Sequence, residues 1–179
     1  MKKILLCAFF LLSANQFVQA DSTYVKRIFV GQEITIGPTS GKENIVHAND
    51  VFHWIHPDFE KYGCDVPEEP TKKIPVACFD IVRGGTSTQI FKSFGKKLDR
   101  LCFTQNQIKI FVKEHPDLIR IGSPGTHATL FLFKKQHQFF LAQVGFRDEG
   151  FSIRPFSLSD DFVWDATFHS QYGIVIPKL

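Results

Sequence analysis

The stretch His127–Phe146, HATLFLFKKQHQFFLAQVGF, decides how the chain is read. Two apolar runs, Ala128–Phe133 and Phe139–Val144, flank a polar connector, Lys134–Gln138. Both runs are rich in Phe, Leu and Val and have the length of an ordinary strand, so they predict a β-hairpin. Neither alternates cleanly between apolar and polar. Leu130, Phe131, Leu132 and Phe133 are apolar on both parities, and a strand of that kind needs cover on both faces. The hairpin therefore belongs in the middle of a core.

Upstream, Thr23–Ile36 reads as strand broken near Gly31, and Asn44–Val46 as one more short strand. His47–Tyr62 predicts a short helix capped by Asn49 or Asp50, carrying Val51, Phe52, Trp54 and Ile55 and stopped at Pro57. Ile74–Val82 is an apolar strand. Thr86–Leu98 predicts a helix with Ile90, Phe91, Phe94 and Leu98 facing inward. Gln105–His115 is the clearest helix: Thr104 and Gln107 make a capping box, Ile108, Phe111 and Val112 share a face, and Pro116 stops it. Lys109 and Lys113 are expected to face water. Past Leu118 the pattern is nearly all β, with Gly122–Gly125 and Arg147–Gly150 as turns. Phe151–Phe156, Phe162–Ala166 and Gly173–Pro177 are further strands. The fold class is α+β: a single domain, with N-terminal strands and two short helices packed on a C-terminal antiparallel β-meander.

Residues 1–20 read as a cleaved secretory signal. Lys2 and Lys3 precede the apolar run Ile4–Leu12, and Val18-Gln19-Ala20 is a small-residue cleavage site. Residues 21–179 then form the single domain, in the periplasm or secreted. Cleavage would leave 159 of the 179 residues, and loss of Lys2 and Lys3 lowers the formal net charge from +3 to +1. So neutral a chain lacks the electrostatic footprint of a nucleic-acid binder. No transmembrane span is expected after cleavage. Cys64, Cys78 and Cys102 remain, in a compartment where disulfides persist. Cys64–Cys78 is the first choice of bridge and Cys78–Cys102 its rival.

Three constellations can carry chemistry. His47, His53 and His56, with Asp50 and Asp58 beside them, resemble the start of a zinc site, although no Glu follows the first His as a metalloprotease requires. Cys102, just ahead of a helix cap, and His127, at the mouth of the central strand, form a candidate nucleophile and base. Trp54, Phe162 and Trp164 are candidate apolar anchors for a partner. The lysines and arginine at 92, 96, 97, 100, 109 and 113 read as the solvated sides of two helices. Asp160 and Asp161, in the loop before Phe162, read as turn chemistry. No cofactor motif is present.

Pro116-Asp117-Leu118-Ile119, then Gly125-Thr126-His127 and an apolar strand, resembles the Asp-Leu-then-His region of NlpC-type cell-wall peptidases. That resemblance covers about a third of the chain. It implies a cysteine hydrolase acting on peptide or cell-wall bonds. The family's nucleophile lies in an Asp-Cys-Ser-Gly helix start, however. Here Cys78 is followed by Phe79-Asp80 and Cys102 by Phe103-Thr104, so the nucleophile does not carry over. The leading expectation is a non-enzymatic exported module that binds a protein or another cell-envelope component. A Cys102–His127 hydrolase and a histidine metal site are the alternatives.

Overall fold

The computed structural model describes residues 23–120, 127–147, 149–166 and 172–178. The expected signal at 1–20 and the turn at 122–125 lie outside them. Among the described residues, ten strands and three α-helices build an α+β domain: β1 Val25–Ile28, β2 Ile34–Ile36, β3 Phe52–Ile55, α1 Asp58–Lys61, β4 Ile74–Ile81, β5 Gly85–Thr86, α2 Ser87–Lys92, α3 Gln105–Glu114, β6 Ala128–Lys135, β7 Gln138–Arg147, β8 Gly150–Ser157, β9 Val163–Trp164 and β10 Tyr172–Pro177. Among the described residues, no helix is long and apolar enough to cross a membrane.

The hairpin lies inside the sheet, as its double-sided apolar pattern requires. Strand order is β1-β4-β10-β6-β7-β8-β3, with β2 beside β1 on the free edge of β4. Parity along β6 and β7 assigns each side chain to a face. Phe131, Phe133, Phe140, Ala142 and Val144 join one core with Ile108, Phe111 and Val112 of α3. Leu130, Leu132 and Leu141 join a second core with Ile90 and Phe91 of α2 and with Trp164. The sheet is thus the middle of three layers. Its first face is sealed by α3, α1 and the loop carrying Ile45 and Ala48. The second is covered in part by α2 and the small β5–β9 flap, which pairs Gly85 with Trp164, and is open around Gly145 and Ser152.

The β6–β7 connection is tighter than the sequence suggests. The strands run on to Lys135 and Gln138, leaving only Gln136 and His137 in the turn, with φ of 47° and 66°. Both angles are positive, as a type I′ hairpin turn demands. The meander β6–β7–β8 is antiparallel throughout. The last strand departs from it: β10 inserts between β4 and β6, antiparallel to the first and parallel to the second. That insertion fuses the N-terminal strands and the meander into one sheet, where two packed halves were expected.

Both capping boxes form, at Thr86/Gln89 on α2 and at Thr104/Gln107 on α3. Helix α2 is shorter than expected because Gly95, at φ 64°, turns the chain away soon after it ends. Asn44–Val46 is loop rather than strand.

The segment 47–62 is the main correction. Phe52–Ile55 is an edge strand parallel to β8, not a helix. Pro57, at φ −62°, precedes α1 rather than stopping a helix. Lys109 is a second correction. It is 8% exposed, and its Nζ reaches Glu43 at 2.6 Å and Asp50 at 2.8 Å, while Lys113 stays at the surface.

Candidate functional site

The hydrolase pair does not assemble. Phe103 N–H donates to Leu132 O at 2.8 Å and Phe103 bridges Phe133, so Cys102 sits beside the far end of β6. His127 precedes the near end, at Ala128. Five or so residues of strand separate them, roughly 15–20 Å at the rise of an extended chain. Cys102 Sγ donates instead to Leu98 O at 3.3 Å, and burial pushes its thiol up to about 12. A thiol so protonated and so far from the imidazole is no nucleophile. The Cys102–His127 reading is overturned.

The expected disulfide is corrected too: Cys64, Cys78 and Cys102 are all free thiols. Cys64 follows Gly63, which lies against the Gln136 side chain at the β6–β7 turn. Cys78 pairs with Val175 on β10, which pairs in turn with Phe131. Two strand spacings therefore separate the cysteines sideways, about 9–10 Å, before counting the offset along β6. A bridge needs Cα atoms within about 7 Å. Cys78–Cys102 fails as well, because these residues belong to opposite faces of the sheet. Burial pushes Cys64 and Cys78 up to about 12.

The three histidines point to separate tasks. His47 is bonded through Nδ1 to Asn44 Oδ1 at 2.9 Å. His56 Nδ1 accepts the Asp58 backbone N–H at 3.1 Å, which ties the start of α1. His53 is exposed on β3. Among the described residues, no three His, Cys, Asp or Glu side chains are grouped to hold a metal ion.

Of the aromatic anchors, Trp164 is 1% exposed, and its Nε1 donates to Ser87 Oγ at 2.7 Å. It is a core residue closing the second face, which corrects its assignment to binding. Phe162 is 46% exposed and stacks on Phe156 at 6.0 Å. Asp160 accepts from Ser157 N–H at 3.1 Å, so it serves the turn. Trp54 is half-buried on the edge strand and lines two hollows.

The more informative of these hollows was hidden from sequence reading, and it follows from register. On the second face, Gln143 is opposite Arg154, Gly145 opposite Ser152, and Arg147 opposite Gly150. Trp54 pairs with Ser152 from the other side. The pleat thus puts a floor without bulk, Gly145 and Ser152, between two long cationic side chains. A Cβ on Gly145 would stand 3.1 Å from His127 O, so the floor stays low because a glycine is there.

Both guanidiniums are held. Arg147 lies over the Trp54 ring at 4.8 Å, and Arg154 over the Phe156 ring at 4.5 Å. Arg154 Nε donates to Gln143 Oε1 at 2.7 Å. Among the described residues the lining contains no carboxylate: it is Trp54, His127, Gln143, Arg147, Ser152 and Arg154, with Gly145 and Phe146. Burial first, and the like charge of Arg147 second, hold the Arg154 pKa below the ordinary arginine value. The strip Trp54–Arg147–Arg154–Phe156–Phe162 therefore links two of the three aromatic anchors across one exposed face.

Sequence reading placed Arg147 in a turn and left Arg154 inside the strand Phe151–Phe156. The signal was the pair Gly145-x-Arg147 and Ser152-x-Arg154, on either side of the β7–β8 connection.

In comparisons with known proteins, the chain finds no match among protein-family models, curated proteins or solved structures.

Proposed function

We propose that the protein is a non-enzymatic binding module of the bacterial envelope or secretome, and that the Trp54–Phe162 face is its contact surface. The observation that supports this most is the cleft itself. Two ring-backed guanidiniums share a hollow with no described carboxylate to neutralise them. Folding gains nothing from setting two like charges around one hollow, with Arg154 half-buried and Arg147 exposed. Aromatic and arginine side chains are also the groups that anchor interfaces. Phe162 and Val163, 46% and 57% exposed, extend the strip with apolar surface.

Export from the signal-like residues 1–20 supplies the setting. The partner is a protein or another envelope component. A photo-crosslinking residue placed at Trp54 of the full chain, in producing cells, is expected to give a discrete adduct. The same residue at Val30, 74% exposed on the opposite edge, is the control and should give none. Equal labelling from both positions, or none from Trp54, would count against the reading.

A further inference from the structure

Resting on that reading of the Trp54 face, we infer that the cleft between Arg147 and Arg154 is an oxyanion clamp whose ligand is a phosphate group carried on a larger molecule.

Four features of the hollow select the chemistry. The first is charge. Each arginine brings a full positive charge, and neither has a carboxylate partner among the described residues. A monocarboxylate would neutralise only one of them. A phosphate monoester carries about −1.5 to −2 near neutral pH and balances both.

The second is donor geometry. Gln143 occupies Arg154 Nε, which fixes the plane of that guanidinium and leaves its two terminal nitrogens for a ligand. Trp54 covers a face of Arg147 and leaves its in-plane N–H groups at the edge. Guanidiniums bind oxyanions through such forked edges. Two forks lining one hollow suit an anion with three terminal oxygens better than one with two.

Preorganisation is the third. Stacking on Trp54 and Phe156 and the bond to Gln143 already restrict side chains that would otherwise lose rotamer freedom on binding. Ser152 Oγ is also on the floor, donating to Gly145 O at 3.5 Å, a long bond whose proton can turn toward a bound oxygen instead.

Size is the last. The hollow holds about 50 Å³. One water-sized unit needs about 10–15 Å³ on the same measure, so roughly three to five fit, the bulk of a phosphate group. The rest of the ligand would lie outside, along Trp54 or Phe162. The second hollow, about 220 Å³ beyond Trp54 and lined by His53, His56 and Glu60, offers room for it.

The test titrates the folded full chain with inorganic phosphate and follows Trp54, the tryptophan at the cleft. Sodium chloride at matched ionic strength and sodium acetate are the reference anions. Saturable binding is expected, at least tenfold tighter than for acetate. Arg147→Gln and Arg154→Gln should each weaken it tenfold or more. Arg154→Lys, which keeps the charge but loses the fork, should recover only part.

Ser152→Asp places a carboxylate on the floor between intact arginines. It should abolish phosphate binding in a protein that melts no lower than wild type. This second variant keeps the test open if an arginine variant folds poorly. A soluble phosphomonoester and vesicles of phosphatidic acid in phosphatidylcholine then separate a free ligand from a lipid headgroup. Binding to either supports the clamp.

A response to chloride equal to that for phosphate would overturn the clamp. So would undiminished phosphate binding in folded Ser152→Asp or in the folded double arginine variant. If phosphate fails while the Trp54 adduct persists in the double variant, the clamp is wrong and the contact surface stands. If phosphate binds and no adduct forms, the contact-surface reading is the one that falls.

Discussion

Two groups of basic side chains sit on opposite sides of the same sheet, and they are treated differently. On the sealed side, Lys109 is buried yet satisfied, with Glu43 and Asp50 both within hydrogen-bond reach. On the open side, Arg147 and Arg154 share a hollow with each other and with no described carboxylate. The first arrangement is what a fold does with a charge it must bury. The second leaves like charges without a carboxylate partner among the described residues and fixes them on aromatic rings. The contrast separates a charge that holds the protein together from charges held ready for something else.

The largest effect belongs to neither group. Phe131 is fully buried where α3 meets the sheet, stacked edge-on with Phe103 and Phe111. Phe131→Ala should cost about 3–5 kcal/mol in chemical denaturation, the range for emptying a core aromatic site. A smaller loss would mean that the sheet is not the shared wall of two cores.

The next prediction tests the sealed side. Lys109→Met should cost about 1–2 kcal/mol, between the values for exposed and fully buried pairs, because both carboxylates keep partial access to water. Arg154→Gln, by contrast, should change stability by no more than about 0.5 kcal/mol, since it removes a repelled charge. Equal destabilisation by the two would erase the contrast.

The same comparison has a pH signature. The hydrogen bond from Lys109 leads the effects that hold the Asp50 carboxyl below its ordinary value, against the opposing effect of burial. Its contribution is present above the unfolded carboxylate pKa and is lost as pH falls through the lower folded value. Burial works against the charge on Lys109, but hydrogen bonds to Asp50 and Glu43 outweigh it and raise the lysine pKa. That contribution is present below the unfolded lysine pKa and is lost as pH rises through the higher folded value. Stability measured against pH should therefore fall at both ends, and both slopes should flatten in Lys109→Met. Unchanged slopes in the variant would place the titrating groups elsewhere.

The smallest effect is chemical. With the thiols of Cys64, Cys78 and Cys102 pushed up to about 12 by burial, an alkylating reagent at pH 8 should leave these three nearly unlabelled in the native protein. Unfolding without reductant should then label Cys64, Cys78 and Cys102 alike. Protection of two of them in the unfolded chain would reveal a bridge.

What the sequence showed and what it hid divide along the range of the interactions. The hairpin and α3 were legible because their causes are local: apolar runs on both parities in one, a capping box and a proline stop in the other. The segment 47–62 was not. Val51, Phe52, Trp54 and Ile55 fit a helical face or a short strand, and pairing with β8, about a hundred residues on, decided between them. Lys109 looked solvent-facing because its carboxylates lie 59 and 66 positions away. The parallel insertion of β10 depends on β4 and β6 together, which no local pattern records. The cleft was hidden for the same reason. Arg147 and Arg154 are brought to one hollow only once the β7–β8 register is known.

The central claim is that the arginines on the open face are kept for a ligand and not for the fold. It is tested most directly by thermal melts of the wild type and of the Arg147→Gln/Arg154→Gln double variant, each with phosphate and with chloride at matched ionic strength. A ligand that binds only the folded state raises its melting temperature. The account predicts that phosphate raises the wild-type melt above its chloride value and leaves the double variant, which melts close to wild type in chloride, unmoved. Equal shifts in both proteins, or a double variant that melts far lower in chloride, would contradict it.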